Sequence, residues 1–244
     1  MKKIILATFS LLATFSLAAQ DGNQILRDVD RNMSADSRII ESTMIIKGKR
    51  NDRTMTSKSY TMGAEKSYTE YLSPARERGT KMLKLANEMW VYSPSTDRTI
   101  MISGHMLRQS VMGSDLSYED MMDDRKLFDI YNAELTGTET FDDRTCYLLA
   151  LTAKVDDAAY HSQKIWVDTE RLIPLQQELY AKSGQLLKKI ILSDIKQVEG
   201  RWFPMKMVYK DMLKEGDGTE WIINQITFNQ SIPEYTFSKA ILKK

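Results

Sequence analysis

The sequence predicts a mainly β protein: one strongly curved antiparallel sheet of ten or more strands, with two helical pieces to cover it. Three observations carry this. Short runs rich in β-branched and aromatic residues recur at near-regular spacing, each closed by a turn signal. Amphipathic helical periodicity shows near the start of the mature chain. Residues 103–125 then break the strand rhythm with Ser103, Gly104, Gly113 and Ser114.

The chain begins MKKIILATFSLLATFSLAAQ. Lys2 and Lys3 form a positive n-region, Ile4 to Leu17 an apolar h-region, and Ser16 and Ala18 place small residues at the −3 and −1 positions of a cleavage site. This predicts a secretory signal peptide over residues 1–18, cut near Ala18, and a single domain over residues 19–244. The apolar run is short for a membrane anchor, and polar sequence follows at once. No cysteine stands at the cleavage site to take a lipid. Losing Lys2 and Lys3 takes the formal charge from +1 to −1, with no clustered basic excess, so nucleic acid is not an expected partner. No later segment approaches the roughly 18 apolar residues of a membrane helix. The expectation is a soluble protein outside the cytoplasm.

The mature chain opens with DGNQILRDVDRNM, where Ile25, Leu26, Val29 and Met33 recur at helical spacing. One amphipathic helix with one apolar face is predicted. RIIESTMIIKGKR, RTMTSKSYTMG and EKSYTEYLSP then read as strands, followed by GTKMLKLA, EMWVYSP and RTIMIS. In the fourth, Met82, Lys84 and Ala86 point one way while Leu83 and Leu85 point the other. Within the break, HMLRQSVMGSDLSYEDMM holds four methionines in eighteen residues, and Ser117 opens an S-x-x-D capping signature for a short helix. Strands resume with KLFDIYNAEL, RTCYLLALTA, SQKIWVD, LIPLQQELYA, LLKKIILSDIKQV, RWFPMKMVYK and TEWIINQITF. The tail PEYTFSKAILKK suits a helical turn. Cys146, the single cysteine, sits in an apolar run and reads as a buried, inert thiol. Stability must come from the core, and about 226 mature residues suffice for one.

A sheet this large twists, and beyond about ten strands it curls or closes. Its concave face needs a cover, and two helical pieces are too little to fill a deep barrel. An open, partly lidded apolar cavity and a well-filled sandwich both fit the pattern. An outer-membrane barrel does not, because KSYTEYL and LLKKIILSDIKQV carry charges on both faces.

The search for chemistry is negative. His105 and His161 are isolated, and no H-E-x-x-H, G-x-S-x-G or phosphate-binding glycine motif occurs. No cofactor, metal site or catalytic residue is expected. Glu119, Asp120, Asp123 and Asp124 form an acidic cluster that lacks the pattern of a calcium loop and reads as a solvated helix face. The aromatics of EMWVYSP and RWFPMKMVY read first as core, with a ligand cavity as the other use.

Residues 71–122 resemble the outer-membrane lipoprotein-sorting family of the LolA-like superfamily. The resemblance rests on Y-L-x-P, R-G-T-x-M-L, W-V-Y-x-P, R-x-I-x-I-S and S-V-M-G-S-D-x-S-Y-E-D-M in succession. KIWVD, IPLQQELY and RWFPMKMVY continue it downstream. It implies a half-open antiparallel β-barrel with helices as a lid over an apolar cavity. It also implies a monomeric periplasmic carrier that takes an acylated lipoprotein or lipid from an inner-membrane transporter and passes it to an outer-membrane acceptor. The family's lid-holding arginine has no motif match here, so no residue inherits that role.

On this reading the helix and residues 103–122 are lid elements. The residues expected to meet acyl chains are Ile25 and Val29 in the helix, and Met44, Ile46, Met82, Trp90, Tyr92, Ile100 and Ile102 on strands. Met106, Leu107, Met112, Leu116, Met121 and Met122 complete the set from the insertion. Two other functions compete with the carrier. One is an accessory binding module of an envelope machine or exporter, which would show a flat apolar patch. The other is an envelope hydrolase with two inward carboxylates.

Overall fold

A computed structural model describes residues 21–243. The expected signal peptide, residues 1–18, lies outside them. Helix α1 (Gly22–Met33) starts on Asp21, whose carboxylate caps it by accepting the N–H of Asn23 at 3.0 Å. Six strands follow: β1 (Ser37–Ile46), β2 (Arg53–Met62), β3 (Lys66–Ser73), β4 (Lys81–Leu85), β5 (Glu88–Ser93) and β6 (Arg98–Ile102). The insertion holds two 3-10 turns, Gly104–Arg108 and Val111–Gly113, then helices α2 (Tyr118–Met122) and α3 (Leu127–Ile130). Seven strands complete the sheet: β7 (Tyr131–Phe141), β8 (Arg144–Ala153), β9 (Ser162–Asp168), β10 (Pro174–Tyr180), β11 (Leu186–Val198), β12 (Arg201–Asp211) and β13 (Thr219–Phe228).

All thirteen strands belong to one antiparallel sheet in the order β6-β5-β4-β3-β2-β1-β13-β12-β11-β10-β9-β8-β7. Each hairpin partner is a sequence neighbour except for β1 with β13. The chain therefore meanders outward from the middle, crosses through the insertion to the far edge, and returns. β6 and β7 are both edge strands, so the sheet is curved and half-open, not closed. Two tight hairpins are fixed by paired left-handed residues: Asp142 and Asp143 at φ 50° and 56°, and Glu199 and Gly200 at φ 48° and 81°. Consecutive positive φ values give the turn whose twist matches that of the flanking strands.

The strand alternation expected from the sequence holds in β4. Met82 packs with Met44, Ile46, Met55, Tyr71 and Val91 on one face. Leu83 packs with Tyr68 and Trp90 on the other, beneath Ile232, Phe237 and Leu242 of the C-terminal segment. That segment forms two 3-10 turns, Glu234–Phe237 and Lys239–Lys243, where the sequence suited one helical turn. At the other end of the sheet, Ile25, Leu26 and Val29 of α1 bury against Tyr131, Leu149, Leu151 and Ile165. Burying a side chain of this size contributes about 1.5–3 kcal/mol. α1 can lie this close because Gly22 has no side chain: a Cβ there would meet Leu135 N at 2.7 Å and Ala133 O at 2.8 Å. Asn23 Oδ1 accepts the Ala133 N–H at 2.9 Å, which satisfies one backbone donor of β7.

Candidate functional site

α1 and the insertion are tied together by Asp30. Its carboxylate accepts the backbone N–H groups of Leu127 at 2.9 Å and Phe128 at 2.8 Å, the first residues of α3. Burial raises the Asp30 pKa, and these two hydrogen bonds oppose the rise. Between α1, residues 123–129 and strands β10–β12 lies a cavity of about 850 Å³. Ile190, Leu192, Met207 and Tyr209 supply its floor, joined by Pro174 and Gln177. Arg38, Asp123, Asp124 and Arg125 line it as well. The combination suits an amphiphile: an apolar floor stands beside ten charged side chains, among them Arg27, Asp30, Arg31 and Lys126.

The acidic cluster does not form a solvated helix face. Asp120 closes the capping box of α2, accepting from the N–H of Ser117 at 2.6 Å and from its hydroxyl at 2.7 Å. The same carboxylate accepts the Tyr160 hydroxyl at 2.6 Å and pairs with the ammonium of Lys188 on β11. Asp124 accepts Arg38 on β1 at 2.7 Å and lies 3.8 Å from Lys84 on β4. Arg125 joins Asp123 at 2.9 Å to Asp157 at 3.0 Å. The physical reason is reach: Asp120 contacts a cation on β11, Asp124 lies between cations on β1 and β4, and Asp123 pairs with Arg125 two residues on, so these carboxylates meet cations rather than bulk water. Glu119 is the one left half-buried without such a partner, and burial raises its pKa while Arg108 pulls it down.

These attachments perturb their members. Tyr160 has its pKa raised by burial, then by the Asp120 charge. Tyr209 is raised for the same two reasons in the same order. Burial lowers the Lys84 pKa, against the pull of Asp124. Lys84 also donates to the carbonyls of Ala64 and Met122, so a buried cation fastens the C-terminal end of α2 to β4. Among the described residues, no group of three or more His, Cys, Asp or Glu could hold a metal ion.

The structure gathers most of the expected lipid-facing residues, but into two separate places. Met44, Ile46, Met82 and Ile102 form one cluster, with Met106, Leu107, Met112, Met121 and Met122 packed on it. In this conformation the methionine-rich insertion thus touches its own core. Leu116 is buried and lines a second cavity of about 760 Å³ near Lys188. Ile25 and Val29 belong to the distant α1 cluster, and Val29 alone of the fifteen lines the larger cavity.

Three residues fall elsewhere. Trp90 and Tyr92 share a face, as expected, and it is the one under the C-terminal segment, opposite the face of Met82 and Val91. Both faces of β5 are covered, so alternation separates them without saying which is inner. Ile100 pairs with Val91 yet is 48% exposed, because β6 is the sheet edge. The floor residues Ile190 and Leu192, and the fasteners Lys188, Tyr160, Arg38 and Lys84, were not singled out by the sequence. In LLKKIILSDIKQV apolar residues stand on both faces, so no alternation marks an inward row.

A family model described as an uncharacterized protein matches residues 63–244. A comparison with curated proteins finds no match. Among solved structures, a DUF1329 family protein from Desulfovibrio piger superposes with a TM-score of 0.81 at 26% identity, covering 91% of this chain and 97% of its own. A domain provisionally described as outer-membrane lipoprotein-sorting, from Vibrio parahaemolyticus, gives 0.79 at 23% identity, covering 91% and 98%. A LolA superfamily protein from Nitrosomonas europaea gives 0.76 at 24% identity, covering 91% and 99%. The half-open, lidded sheet is therefore a LolA-like fold.

Proposed function

We propose that this chain, which belongs to the family matched over residues 63–244 and has a LolA-like fold, is a non-catalytic carrier that shields acyl chains in its cavity during transfer between membranes. The cargo is an acylated lipoprotein or a lipid. The observation that carries this reading is the cavity of about 850 Å³, with an apolar floor, charged groups beside it and a roof of α1 and residues 123–129 fastened by the Asp30 hydrogen bonds and the Arg38–Asp124 ion pair instead of strand pairing.

The energetics fit that role. Each buried CH₂ is worth roughly 0.8 kcal/mol, so a diacylated cargo escapes into water very slowly on its own. A carrier must offer comparable apolar surface, and loading it calls for an energised partner, here an inner-membrane transporter. Release calls for a tighter acceptor at the outer membrane or an opened lid. A roof held by hydrogen bonds and ion pairs can be exchanged for water without leaving orphaned strand edges. The signal peptide of residues 1–18 would deliver the carrier to the periplasm. No bond in the cargo is broken.

The test is native mass spectrometry of the full chain, exported and gently purified from its own envelope, with organic extraction of any ligand. Bound lipoprotein or lipid supports the carrier and identifies the cargo. A protein that is empty and also ignores added lipids would overturn the reading and favour the accessory module.

A further inference from the structure

The hairpin joining β12 to β13, residues 212–218, carries an apolar pair that the carrier reading does not use. Met212 is 44% exposed and Leu213 64%, side by side in the hairpin turn. The other adjacent exposed pair, Ile100 and Met101, alternates across the two faces of an edge strand and so presents no single surface.

The hairpin and its base carry Lys210 and Lys214 against Asp211, Glu215 and Asp217, with Lys214 paired to Asp211 at 3.4 Å, so the free cations come from its neighbours. Lys214 follows Leu213 directly, and the neighbouring β1–β2 loop is joined to it by the Lys49–Glu215 pair. Arg50 stands in that loop, while Lys182 and Arg108 share the smaller cavity with Leu213 and Lys214. Among the described residues, Arg50, Arg108 and Lys182 have no carboxylate within ion-pair distance. Lys210 reaches only the carbonyl of Lys214.

We propose that this tip is a docking point for an anionic lipid bilayer. Leu213 and Met212 enter below the headgroups, and the unpaired cations stay at the level of the lipid phosphates. Both halves are needed. Exposed apolar side chains gain only when they leave water, and a basic residue near an anionic surface gains through Coulomb attraction that salt screens. An apolar patch of two residues suits a deformable bilayer, whereas a protein partner of stable affinity needs a broader complementary face. Lys214 also reaches Ser110 and the carbonyl of Ser114, so the tip touches the insertion directly.

The test is co-sedimentation of the mature full chain with vesicles of phosphatidylcholine alone or mixed with phosphatidylglycerol, at low and physiological salt. Binding is expected only with phosphatidylglycerol, and weaker as salt rises. Met212→Ser with Leu213→Ser should cut partitioning about tenfold or more. Arg50→Gln with Lys182→Gln should cut it about fivefold per charge. Leu72→Ser, at an exposed apolar site elsewhere, should leave it unchanged. Unchanged circular dichroism confirms that the loop variants fold. Failure to bind phosphatidylglycerol vesicles, or binding indifferent to both tip variants, overturns the proposal and leaves an acidic protein surface as the partner. The vesicle assay uses no extracted cargo, so it can fail while the carrier reading stands, and the reverse.

Discussion

Asp120 and Lys188, 68 residues apart, meet between the insertion and the sheet, with the Tyr160 hydroxyl donating to the same carboxylate at 2.6 Å. Their side chains are 13% and 9% exposed. One carboxylate thus caps α2, holds it to β11 and ties it to the β8–β9 loop. The same carboxylate also lies close enough to raise Tyr209 on the cavity floor. The insertion is therefore held by charged contacts that water can replace as well as by the apolar packing of its methionines.

Asp120→Asn should release the insertion more than it unfolds the protein. Breaking a buried pair by neutralising one partner commonly costs about 3–5 kcal/mol, because the other charge is left dry. Here Lys188 can be rehydrated by lifting α2 alone, so the global loss should fall below that range. Hydrogen exchange should accelerate across residues 103–130 and stay unchanged in β1 and β13. Uniform acceleration, or none, would contradict a lid held at this point.

Tyr160 makes the roof sensitive to alkali. A tyrosine in an unfolded chain ionises near pH ~10, and the folded pKa of Tyr160 is raised above that by burial and by Asp120. Between the two values the folded chain keeps a proton that the unfolded chain has lost. Its stabilising effect is thus complete below pH ~10 and falls as pH rises further, by about 1.4 kcal/mol per pH unit. Tyr160→Phe should lower stability at neutral pH by about 1.5–3 kcal/mol, for a lost hydrogen bond to a charged group, and flatten the alkaline decline. Denaturant titrations at several pH values measure both, and an equal alkaline slope in the variant would count against the assignment.

The C-terminal segment should prove structural. Ile232, Phe237 and Leu242 cover Tyr68, Leu83 and Trp90, and the Lys239 ammonium sits 3.8 Å from the Trp90 ring centroid. Ending the chain at residue 231 removes three buried side chains at about 1.5–3 kcal/mol each, comparable to the whole stability of a typical domain. That chain should aggregate, with red-shifted tryptophan emission. Lys239→Ala, which removes one cation–π contact of about 0.5–2 kcal/mol, should shift the melting temperature only slightly. A truncated chain as stable as the full one would return Trp90 and Tyr92 to the candidates for an accessible ligand surface.

What the sequence made legible was local. Turn residues and the alternation of Met82 with Leu83 mark strands and their two faces, because the side-chain period of a strand is intrinsic to its backbone. The capping box at Ser117 and Asp120 was legible for the same reason, being satisfied within four residues. The pairing of β1 with β13, which leaves β6 and β7 as edges, depends on contacts across most of the chain. The cover over Trp90 could not be read from its own neighbourhood, because the tail that buries it lies about 140 residues downstream. Asp120 and Asp124 were read as solvated because their partners, Lys188 for the first and Arg38 and Lys84 for the second, come from three distant strands. The Asp30 clasp on α3 was hidden likewise: a charged residue on a helix announces nothing until the N–H groups it accepts are brought to it.

The methionines of the insertion give the sharpest test of the carrier reading. Met106, Met112, Met121 and Met122 are half-buried against a core that contains Met44, Met55, Met82 and Met89. A lid that opens must exchange these contacts for others of different shape, which flexible, unbranched side chains do at little cost. Replacing the four insertion methionines by leucine keeps the apolar volume, so stability should change by under about 1.5 kcal/mol per site. Leucine is branched and has fewer rotamers that fit a given gap, so tolerance for cargo should narrow. Extracted ligand from the leucine variant should therefore show a tighter spread of acyl-chain lengths than wild type, at similar folding stability. Met82→Ala should instead cost about 2–5 kcal/mol, because Met82 is 3% exposed and leaves a cavity in the sheet itself. If the leucine variant carries the same spectrum of chains as wild type, the methionines serve the closed core alone, and cargo selection belongs to the floor of Ile190, Leu192 and Met207.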